Sequence, residues 1–446
     1  MQRARLSSLA LLAGASLWFG GACGRASNEE LLAGKACSAS SDCIDGYVCD
    51  AAAGVCVRPG YVLTSDPDHT RGDGTAGSGG AAGAAPDAGP APARDAATTP
   101  PSWIPISPPP PEFVAREKAA YAVAGDKVLI WGGIDGSGVH LSTGAIYDLS
   151  EDSWQLTSVT AGTPSGRVLA NAAWTGSQFL VWGGRLNNGS SEFKDGALYD
   201  PQTQEWTSTA NQMTARSGAL TLGYSTQVLI WGGWNKAGAV LDKAVRYSVA
   251  GNGWAPASND LLGKREHAGW AASGSQLFVL GGRSNLGAAL DTAALYEMGT
   301  NSWSAQPALP SARFGLFAAH DGTQLWVWGG RDDQQALGNG LLLRGTQWAP
   351  TASGGEPSAR WAPQRQSGWT CNSSDGRFIL AGGHDFADTP QRDGGVYDPA
   401  TDSWAPVPSA AQDHEWGVGV CVEGTVLLWG GTNHGSVTAD GERWAP

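Results

Sequence analysis

Charged side chains are scarce in this chain. Lys and Arg contribute 28 residues and Asp and Glu 41, so only 15% of the 446 residues are charged and the net charge is −13. A protein that follows a nucleic-acid backbone carries a basic stripe, and this balance excludes that class. The sequence also contains no G-x-S-x-G, no H-E-x-x-H and no P-loop, so it shows none of these catalytic or nucleotide-binding signatures.

A ten-residue helical period is missing as well, and short apolar runs ending in a glycine pair take its place. Successive pairs are 51, 49, 49, 48, 53 and 48 residues apart. A period near 50 is typical of toroidal or solenoid repeats, in which one unit cannot bury its own face. The pairs are Gly132–Gly133, Gly183–Gly184, Gly232–Gly233, Gly281–Gly282, Gly329–Gly330, Gly382–Gly383 and Gly430–Gly431.

Each repeat unit predicts four short strands. The second strand ends in the glycine pair, the third ends in Tyr, and the fourth begins at a Trp seven residues after that Tyr. Turn-forming dipeptides separate the strands. The Trp series is Trp154, Trp206, Trp254, Trp303, Trp348, Trp404 and Trp444. Repeated four-stranded antiparallel sheets indicate blades around an axis, a β-propeller.

The glycine pairs, Tyr and Trp at these offsets closely resemble the kelch repeat, over about 345 residues. The resemblance implies an all-β, seven-bladed kelch-type propeller spanning residues 102–446. Two units depart from the pattern. The fifth has Leu343 near the Tyr place, and in the seventh only thirteen residues separate Gly431 from Trp444.

Two closures of the ring are compatible with that short last unit. Trp103 lies 51 residues before Trp154 without a glycine pair of its own, so residues 102–106 can supply the fourth strand of the last blade. Kelch rings are often closed by pairing strands from the two chain ends. Alternatively, residues 442–446 complete that blade alone. We favour the donated strand.

The start of the chain is expected to direct export. Arg3 and Arg5 precede an apolar stretch from Leu6 to Phe19, and small residues lead into Cys23. This is the pattern of a signal peptide over residues 1–22, and small residues before a Cys resemble a lipobox. We expect a lipidated Cys23, an outer-membrane or cell-surface location and no other membrane contact. Ordinary cleavage, a free Cys23 and a periplasmic or secreted protein are the alternative.

Three further segments precede the repeats. Residues 23–36 are a short tether. Residues 37–57 hold four cysteines, which in an exported protein indicate a disulfide-stapled module with three possible pairings, zinc being the second choice. Residues 58–101 are rich in Gly, Ala, Pro and Asp and predict a flexible linker. The four cysteines are Cys37, Cys43, Cys49 and Cys56.

Two residue sets are expected at one end of the ring, because the start of strand one and the loop after strand two share a face of a meander. The first set precedes the glycine pairs by sixteen residues, or by seventeen in the sixth unit: Arg116, Arg167, Arg216, Arg265, Arg313, Arg365 and His414. The second set follows the pairs: Arg185, Trp234, Arg283, Arg331 and His384. In substrate-adaptor kelch proteins the first place lines the channel mouth and contacts acidic ligands.

Two interpretations of these arginines remain open. Each can belong to the repeat itself, tied to carbonyls or a neighbouring carboxylate. Alternatively, together they form a basic, aromatic-rimmed mouth for an anionic partner, bound through forked guanidinium contacts. That partner would be an envelope or extracellular protein or a glycan.

Histidines and cysteines suggest two further features near the end of the chain. His384, His414 and His434 fall in the last two units, with His140 in the first and Asp385 and Asp413 nearby, but we predict no metal and no cofactor. Cys371 and Cys421 occupy matching places in neighbouring first strands. In an oxidising compartment they form either a disulfide or two buried thiols.

The function we predict is recognition without catalysis. One alternative is a sugar-active enzyme, because the kelch resemblance includes a bacterial sialic-acid epimerase. Its general base would come from Glu266, Asp385, Asp413 or Glu415. A copper enzyme of the galactose oxidase type needs a Cys cross-linked to a Tyr, and sequence places no Tyr beside Cys371 or Cys421.

Overall fold

A computed structural model of the protein describes residues 48–50, 55–57, 102–186, 191–212, 214–363, 368–373 and 375–446. The chain divides into two compact units between Arg94 and Asp95. In the first unit, β1 (Val48–Asp50) pairs antiparallel with β2 (Val55–Val57). The predicted signal peptide, Cys23, Cys37, Cys43 and the linker lie outside the described residues. Within the described part, no helix is long and apolar enough to span a membrane.

The second unit consists, across its described residues, of seven four-stranded antiparallel sheets. Blade 1 contains β4 (Ala120–Ala124), β5 (Lys127–Trp131), β6 (Gly144–Asp148) and β7 (Ser153–Leu156). Blade 2 contains β8 (Asn171–Trp174), β9 (Phe179–Trp182), β10 (Gly196–Asp200) and β11 (Glu205–Ser208). Blade 3 contains β12 (Leu220–Tyr224), β13 (Gln227–Trp231), β14 (Ala244–Ser248) and β15 (Gly253–Pro256). This meander confirms the predicted all-β propeller.

Blades 4 to 6 repeat the same order, with one short extra ladder. Blade 4 contains β17 (Gly269–Ser273), β18 (Gln276–Leu280), β20 (Ala293–Glu297) and β21 (Ser302–Gln306). Blade 5 contains β22 (Phe317–His320), β23 (Leu325–Trp328), β24 (Gly340–Arg344) and β25 (Gln347–Pro350). Blade 6 contains β26 (Gly368–Asn372), β27 (Phe378–Gly382), β28 (Gly394–Asp398) and β29 (Ser403–Val407). Before β17, β16 (Arg265–Glu266) pairs with β19 (Arg283–Ser284).

The last blade combines both ends of the repeat region. Its strands are β30 (Val418–Val422), β31 (Thr425–Trp429), β34 (Gly441–Trp444) and β3 (Ile104–Pro105), with a small ladder of β32 (Thr432–Asn433) and β33 (Ser436–Val437). Ile104 pairs with Arg443 and Pro105 with Glu442. The donated fourth strand is thereby confirmed, and completion of the blade by residues 442–446 alone is wrong.

Trp444 therefore does not lie on a fourth strand, as its place in the Trp series predicted. It pairs with Val426, as Tyr147 pairs with Val128 in blade 1, so it occupies the Tyr place of a third strand. The fourth-strand Trp of this blade is Trp103, whose ring centroid lies 6.5 Å from that of Trp444. The seventh unit is short because its fourth strand comes from the other end of the repeat region.

The core lies between neighbouring blades and is built from the second and third strands. Val128, Leu129, Ile130 and Trp131 of β5 are all completely buried, since both faces of this strand meet a sheet. Fourth strands alternate between exposed and partly buried positions, as β7 does. This burial gradient leaves the first strands to line the central channel.

The glycine pairs have backbone angles that other residues rarely adopt. Gly132 has φ +74° and Gly133 φ +90°. A Cβ on Gly133 would lie 2.6 Å from the carbonyl oxygen of Glu117, and one on Gly132 2.9 Å from that of Arg167 in the next blade. The pair is thus required both by the left-handed turn and by the approach of the neighbouring blade.

The Tyr of a third strand connects its blade to the preceding segment through an acidic or amide side chain. The hydroxyl of Tyr147 donates to Asp152 at 2.7 Å, and the amide of Ser107 donates to the same carboxylate at 2.9 Å. Burial alone would raise the pKa of Asp152, but these hydrogen bonds outweigh it and hold that pKa below its usual value. Asn252 and Asn301 hold the place of Asp152 in blades 3 and 4. Each accepts a hydrogen bond from the Tyr hydroxyl of its blade and another from a backbone amide of the preceding segment.

Replacing Trp103 should loosen the ring where its two ends meet. The indole packs on Trp444, and its Nε1 donates to the carbonyl of Pro408 at 2.7 Å. We expect Trp103→Ala to lower the free energy of unfolding by about 2 kcal/mol, measured by urea denaturation. Tyr224→Ala, at a 44% exposed aromatic residue, should cost less than about 0.5 kcal/mol. Equal losses in both variants would contradict the closure described here.

Candidate ligand-binding site

The arginines that precede the first strands are buried, and their guanidinium groups bind the backbone. Arg116 donates from Nη1 to the carbonyls of Gly132 at 3.1 Å and Thr143 at 2.8 Å, and from Nε to Val114 at 3.0 Å. Arg167, Arg216, Arg265 and Arg313 contact the first glycine of their own blades in the same way, at 3.1, 3.2, 2.7 and 3.1 Å. All five side chains are between 1% and 4% exposed.

Burial also changes the ionisation of these groups. It lowers the pKa of Arg116 to about 9 and those of Arg216, Arg265 and Arg313 to about 10, which leaves the side chains protonated at neutral pH. The charge is therefore retained but already bonded within the blade. A ligand role for these five arginines remains a prediction, yet their guanidinium groups are not open to solvent as an exposed mouth requires.

In the sixth blade the structure gives this place to Arg360. Its Nη1 donates to the carbonyl of Gly382 at 3.2 Å, and its Nη2 lies 2.9 Å from the carboxylate of Asp393. Arg365 lies outside the described residues. The signal that spacing missed is the tripeptide Ser-x-Arg, since Ser358 and Arg360 repeat the pattern of Ser165 and Arg167. A longer loop before the sixth glycine pair moved the arginine out of register.

His414 fills the same place in the seventh blade. Its Nδ1 lies 2.9 Å from the carbonyl oxygen of Gly430, and its Nε2 lies 3.1 Å from Oε1 of Glu442. Glu442 is 4% exposed and also accepts from the amide of Ala411 at 2.9 Å. His414 thus acts within the fold, as the arginines do.

The second predicted set lies at the same end of the ring and is less buried. Arg185, Trp234, Arg283 and Arg331 are partly exposed, whereas His384 is buried. Each pairs with the residue that follows the arginine, or its counterpart, of its own blade. Bridges of this kind join Val168 to Arg185, Ser217 to Trp234 and Phe314 to Arg331. The structure therefore places the two sets next to each other, with most of the second set closer to solvent than the first.

Blades 4 to 6 gather arginines and aromatic rings into one group, which we name the blade 4–6 rim. The guanidinium carbon of Arg331 lies 4.8 Å from the ring centroid of Trp361 and 4.6 Å from that of Phe386. That of Arg283 lies 5.4 Å from the ring of Phe314. Sequence analysis missed these three aromatic residues. Phe314 and Trp361 directly follow buried arginines, which is a signal in the sequence.

A histidine and a glutamate adjoin this rim. Nε2 of His267 is 3.9 Å from Oε1 of Glu266, and the imidazole lies 6.2 Å from the ring of Trp361. Burial lowers the pKa of His267, against the opposing effect of Glu266. The imidazole is therefore neutral at pH 7, and the positive charge of the rim comes from Arg283 and Arg331.

Behind the rim, the central channel forms a cavity of about 580 Å³. Alanines such as Ala120 and Ala172 form part of its wall, with Thr221, Thr370 and Asn372 as polar members. The volume is within the range of small-molecule sites, which are mostly apolar with a few polar groups. The channel thus offers space that continues inward from the mouth.

The predicted histidine group is divided into separate pairs. His384 lies 3.3 Å from Glu415, and His434 lies 3.4 Å from Asp413. Asp385 accepts hydrogen bonds from the amides of its own loop. Among the described residues, no three His, Cys, Asp or Glu side chains are placed to hold one metal ion.

Cys371 and Cys421 form a disulfide between blades 6 and 7, with their Cα atoms 4.9 Å apart. The disulfide alternative is confirmed, and that of two free thiols is wrong. With both sulfurs joined to each other, neither is available for a bond to a Tyr. A copper site of the galactose oxidase type built on either cysteine would therefore lack its Cys–Tyr cross-link.

These features define the class of the protein: it is a seven-bladed kelch-type β-propeller. Residues 118–308 match a family model described as the KLHDC2/KLHL20/DRC7 Kelch-repeats domain. The chain is also similar to a solved structure entitled "Structure of YjhT", with 14% sequence identity and a TM-score of 0.51, over 68% of this chain and 99% of that one. At this identity the likeness shows the fold alone. No curated protein matches the chain.

The two arginine sets should differ in their effect on stability. Arg116→Ala removes the guanidinium donor of the Gly132 carbonyl and one of the two donors of the Thr143 carbonyl, so we expect a loss of about 3 kcal/mol in the free energy of unfolding. Arg283→Ala removes a partly exposed side chain and should cost less than about 1 kcal/mol. Thermal and urea unfolding of both variants measure this. An Arg116→Ala protein as stable as the wild type would show that the buried contact is not structural.

Proposed function

We propose that the protein is an exported, lipid-anchored recognition protein that binds an anionic partner at the blade 4–6 rim. The observation that carries the proposal concerns the surroundings of the charged groups of Arg283 and Arg331. Among the described residues, neither has a carboxylate within ion-pair distance, whereas Arg167 and Arg360 are paired with Asp195 and Asp393. Both side chains are partly exposed, on a chain of net charge −13.

The surroundings of Arg331 favour forked recognition of an anion. Its guanidinium lies beside Trp361 and Phe386, while its Nε makes only a long hydrogen bond, 3.4 Å, to the carbonyl of Asp332. Aromatic rings hold the plane of a guanidinium through cation–π contact and leave its N–H edge for carboxylate or phosphate oxygens. Phe386 is 47% exposed and adds apolar surface to the contact. The proposed ligand is an acidic segment of an envelope or extracellular protein, or a carboxylated glycan.

Export and anchoring are supported by two independent features. The first 22 residues have the pattern of a signal peptide that ends before Cys23. The disulfide between Cys371 and Cys421 suits an oxidising compartment. In this proposal a lipid on Cys23 attaches the chain to the outer membrane, and the predicted linker separates the ring from its surface.

A sugar-active enzyme is the second candidate, and one juxtaposition favours it. Glu266 pairs with Arg283 across the short ladder and lies beside neutral His267, which places a possible general base next to a cation at the channel mouth. Of the other candidate bases, Glu415 contacts His384 and Asp413 contacts His434. A screen for sugar turnover with a Glu266→Gln variant as control separates this candidate from pure binding.

Charge reversal at the rim tests the recognition proposal. We expect the double variant Arg283→Glu, Arg331→Glu to lose the partners that the wild-type protein retains from envelope extracts, because acidic groups then meet acidic groups. Binding of the identified partner should fall at least tenfold, corresponding to about 1.4 kcal/mol. Retention of the same partners by the double variant would refute the proposal.

The matched control is Arg377→Glu. Arg377 follows the turn between β26 and β27, at the opposite end of the blade, and contacts Asp375 at 2.8 Å. It changes the net charge by half as much without touching the rim, so binding should be preserved. Loss of binding in this variant would mean that overall charge, rather than the rim, controls the association.

A further inference from the structure

Neighbouring blades are joined near the mouth by two backbone hydrogen bonds, and we call this junction a seam. Between blades 1 and 2, the amide of Gly133 donates to the carbonyl of Arg167 at 2.9 Å, and the amide of Leu169 donates to that of Lys118 at 3.0 Å. The same two bonds occur at the seams 2–3, 4–5, 5–6 and 7–1, with lengths between 2.7 and 3.0 Å.

The seam between blades 3 and 4 is open. Within the described residues, the amide of Gly233 does not reach the carbonyl of Arg265, and the amide of His267 does not reach that of Gly218. The surroundings of the first glycines agree. A Cβ on Gly132 would meet the carbonyl oxygen of Arg167 at 2.9 Å, but one on Gly232 meets no atom of blade 4 within 4 Å.

The seam between blades 6 and 7 also lacks these bonds in its described part, but other contacts cross it. His384 of blade 6 lies 3.3 Å from Glu415 of blade 7, and the disulfide joins the first strands of the two blades. The indole of Trp369 lies against Gly419. Among the described residues, no ion pair or disulfide crosses the 3–4 seam, so its mouth-end backbone groups have no such substitute.

Large apolar side chains of β12 line the open seam. Leu220 and Leu222 stand opposite Trp231 and Leu229 in the register of blade 3, where blade 1 has Ala120 and Ala122. Both leucines are buried and belong to the core cluster shared with blade 4.

The unpaired backbone groups belong to residues in the wall of the channel cavity. Gly218, Gly233, Arg265 and His267 all line the 580 Å³ cavity. Leu220, Trp231, Trp234 and Val240 supply an apolar wall from blade 3. Trp131 and Trp182, the equivalents of Trp231 in blades 1 and 2, do not line it. The Nε of Arg265 is buried there without a hydrogen-bond partner, which adds a further donor.

We propose that the 3–4 seam is a binding site for a peptide segment, which inserts a backbone amide between the two blades. A trans amide carries its C=O and its N–H on opposite sides. It can therefore accept from Gly233 of blade 3 and donate to Arg265 of blade 4, or accept from His267 of blade 4 and donate to Gly218 of blade 3, replacing the seam bond. An apolar side chain of the peptide then rests on Leu220 and Trp234.

The donor and acceptor pattern selects this chemistry over an anion. A carboxylate accepts only, so it would leave the carbonyls of Gly218 and Arg265 without donors. The site requires no charge on the ligand and is separate from Arg283 and Arg331. The inference therefore goes beyond the proposed anion binding at the rim.

The test uses a small probe, acetyl-leucine N-methylamide, titrated into the isotope-labelled protein and followed by NMR. Its control is the matching ester, O-acetyl-leucic acid methyl ester, in which oxygen replaces both N–H groups. We expect the amide probe to shift the backbone N–H signals of Gly233 and His267, and the ester to bind at least about tenfold more weakly. No shift with the amide probe, or equal affinity for the ester, would overturn the proposal.

Two variants fill the cleft, so that the test survives if one fails to fold. Leu220→Trp and Val240→Trp should each lower the affinity for the amide probe at least about tenfold. Tyr224→Trp, at the far end of the same strand, should leave it unchanged. Unaltered affinity in both filled variants would overturn the proposal. So would tighter binding of methyl glucoside at the same two amides, which would assign the seam to a sugar.

Discussion

The ring depends on one contact, which joins the glycine pair to two arginines in blades 1, 2, 4 and 5 and to His414 and one arginine in blade 7. The first glycine of a pair accepts from the buried guanidinium of its own blade, and the second donates its amide to the arginine carbonyl of the next blade. In blade 1 these bonds are Arg116 to Gly132 at 3.1 Å and Gly133 to Arg167 at 2.9 Å. The ring closes when Gly431 donates to Arg116 at 2.9 Å. Glycine is required because a Cβ would collide with the incoming carbonyl, and arginine is required because it has several donors in one plane.

This contact divides the basic residues at the mouth by role. The guanidinium groups of the arginines that precede the first strands are hydrogen-bonded to backbone carbonyls. Burial lowers their pKa values without removing their charge at neutral pH. The residues that follow the glycine pairs, Arg283 and Arg331 above all, lie one layer further out and contact aromatic rings instead of carboxylates. A net acidic protein thus presents two arginine side chains beside aromatic rings at the blade 4–6 rim. That distribution is the physical basis of the recognition function we propose.

The repeating part of this arrangement could be predicted from the sequence, and the deviations could not. The period of the glycine pairs gives the number of blades, and the position of Trp103 gives the donated strand. Counting residues placed the sixth-blade arginine at Arg365, because a longer loop is invisible to a fixed offset; the Ser-x-Arg pattern points to Arg360. Trp444 was assigned to a fourth strand since indole and phenol fill the same space in the pattern. The open seam depends on how closely the first strands of blades 3 and 4 approach each other, which only packing determines.

Native-state hydrogen exchange of the second glycine of each pair tests the central claim most directly. The claim is that these amides hold neighbouring blades together everywhere except at the 3–4 and 6–7 seams. It predicts exchange that is slowed by roughly a hundredfold or more relative to Gly233 at five amides: Gly133, Gly184, Gly282, Gly330 and Gly431. Rapid exchange at those five positions, or equal protection of Gly233, would contradict the account.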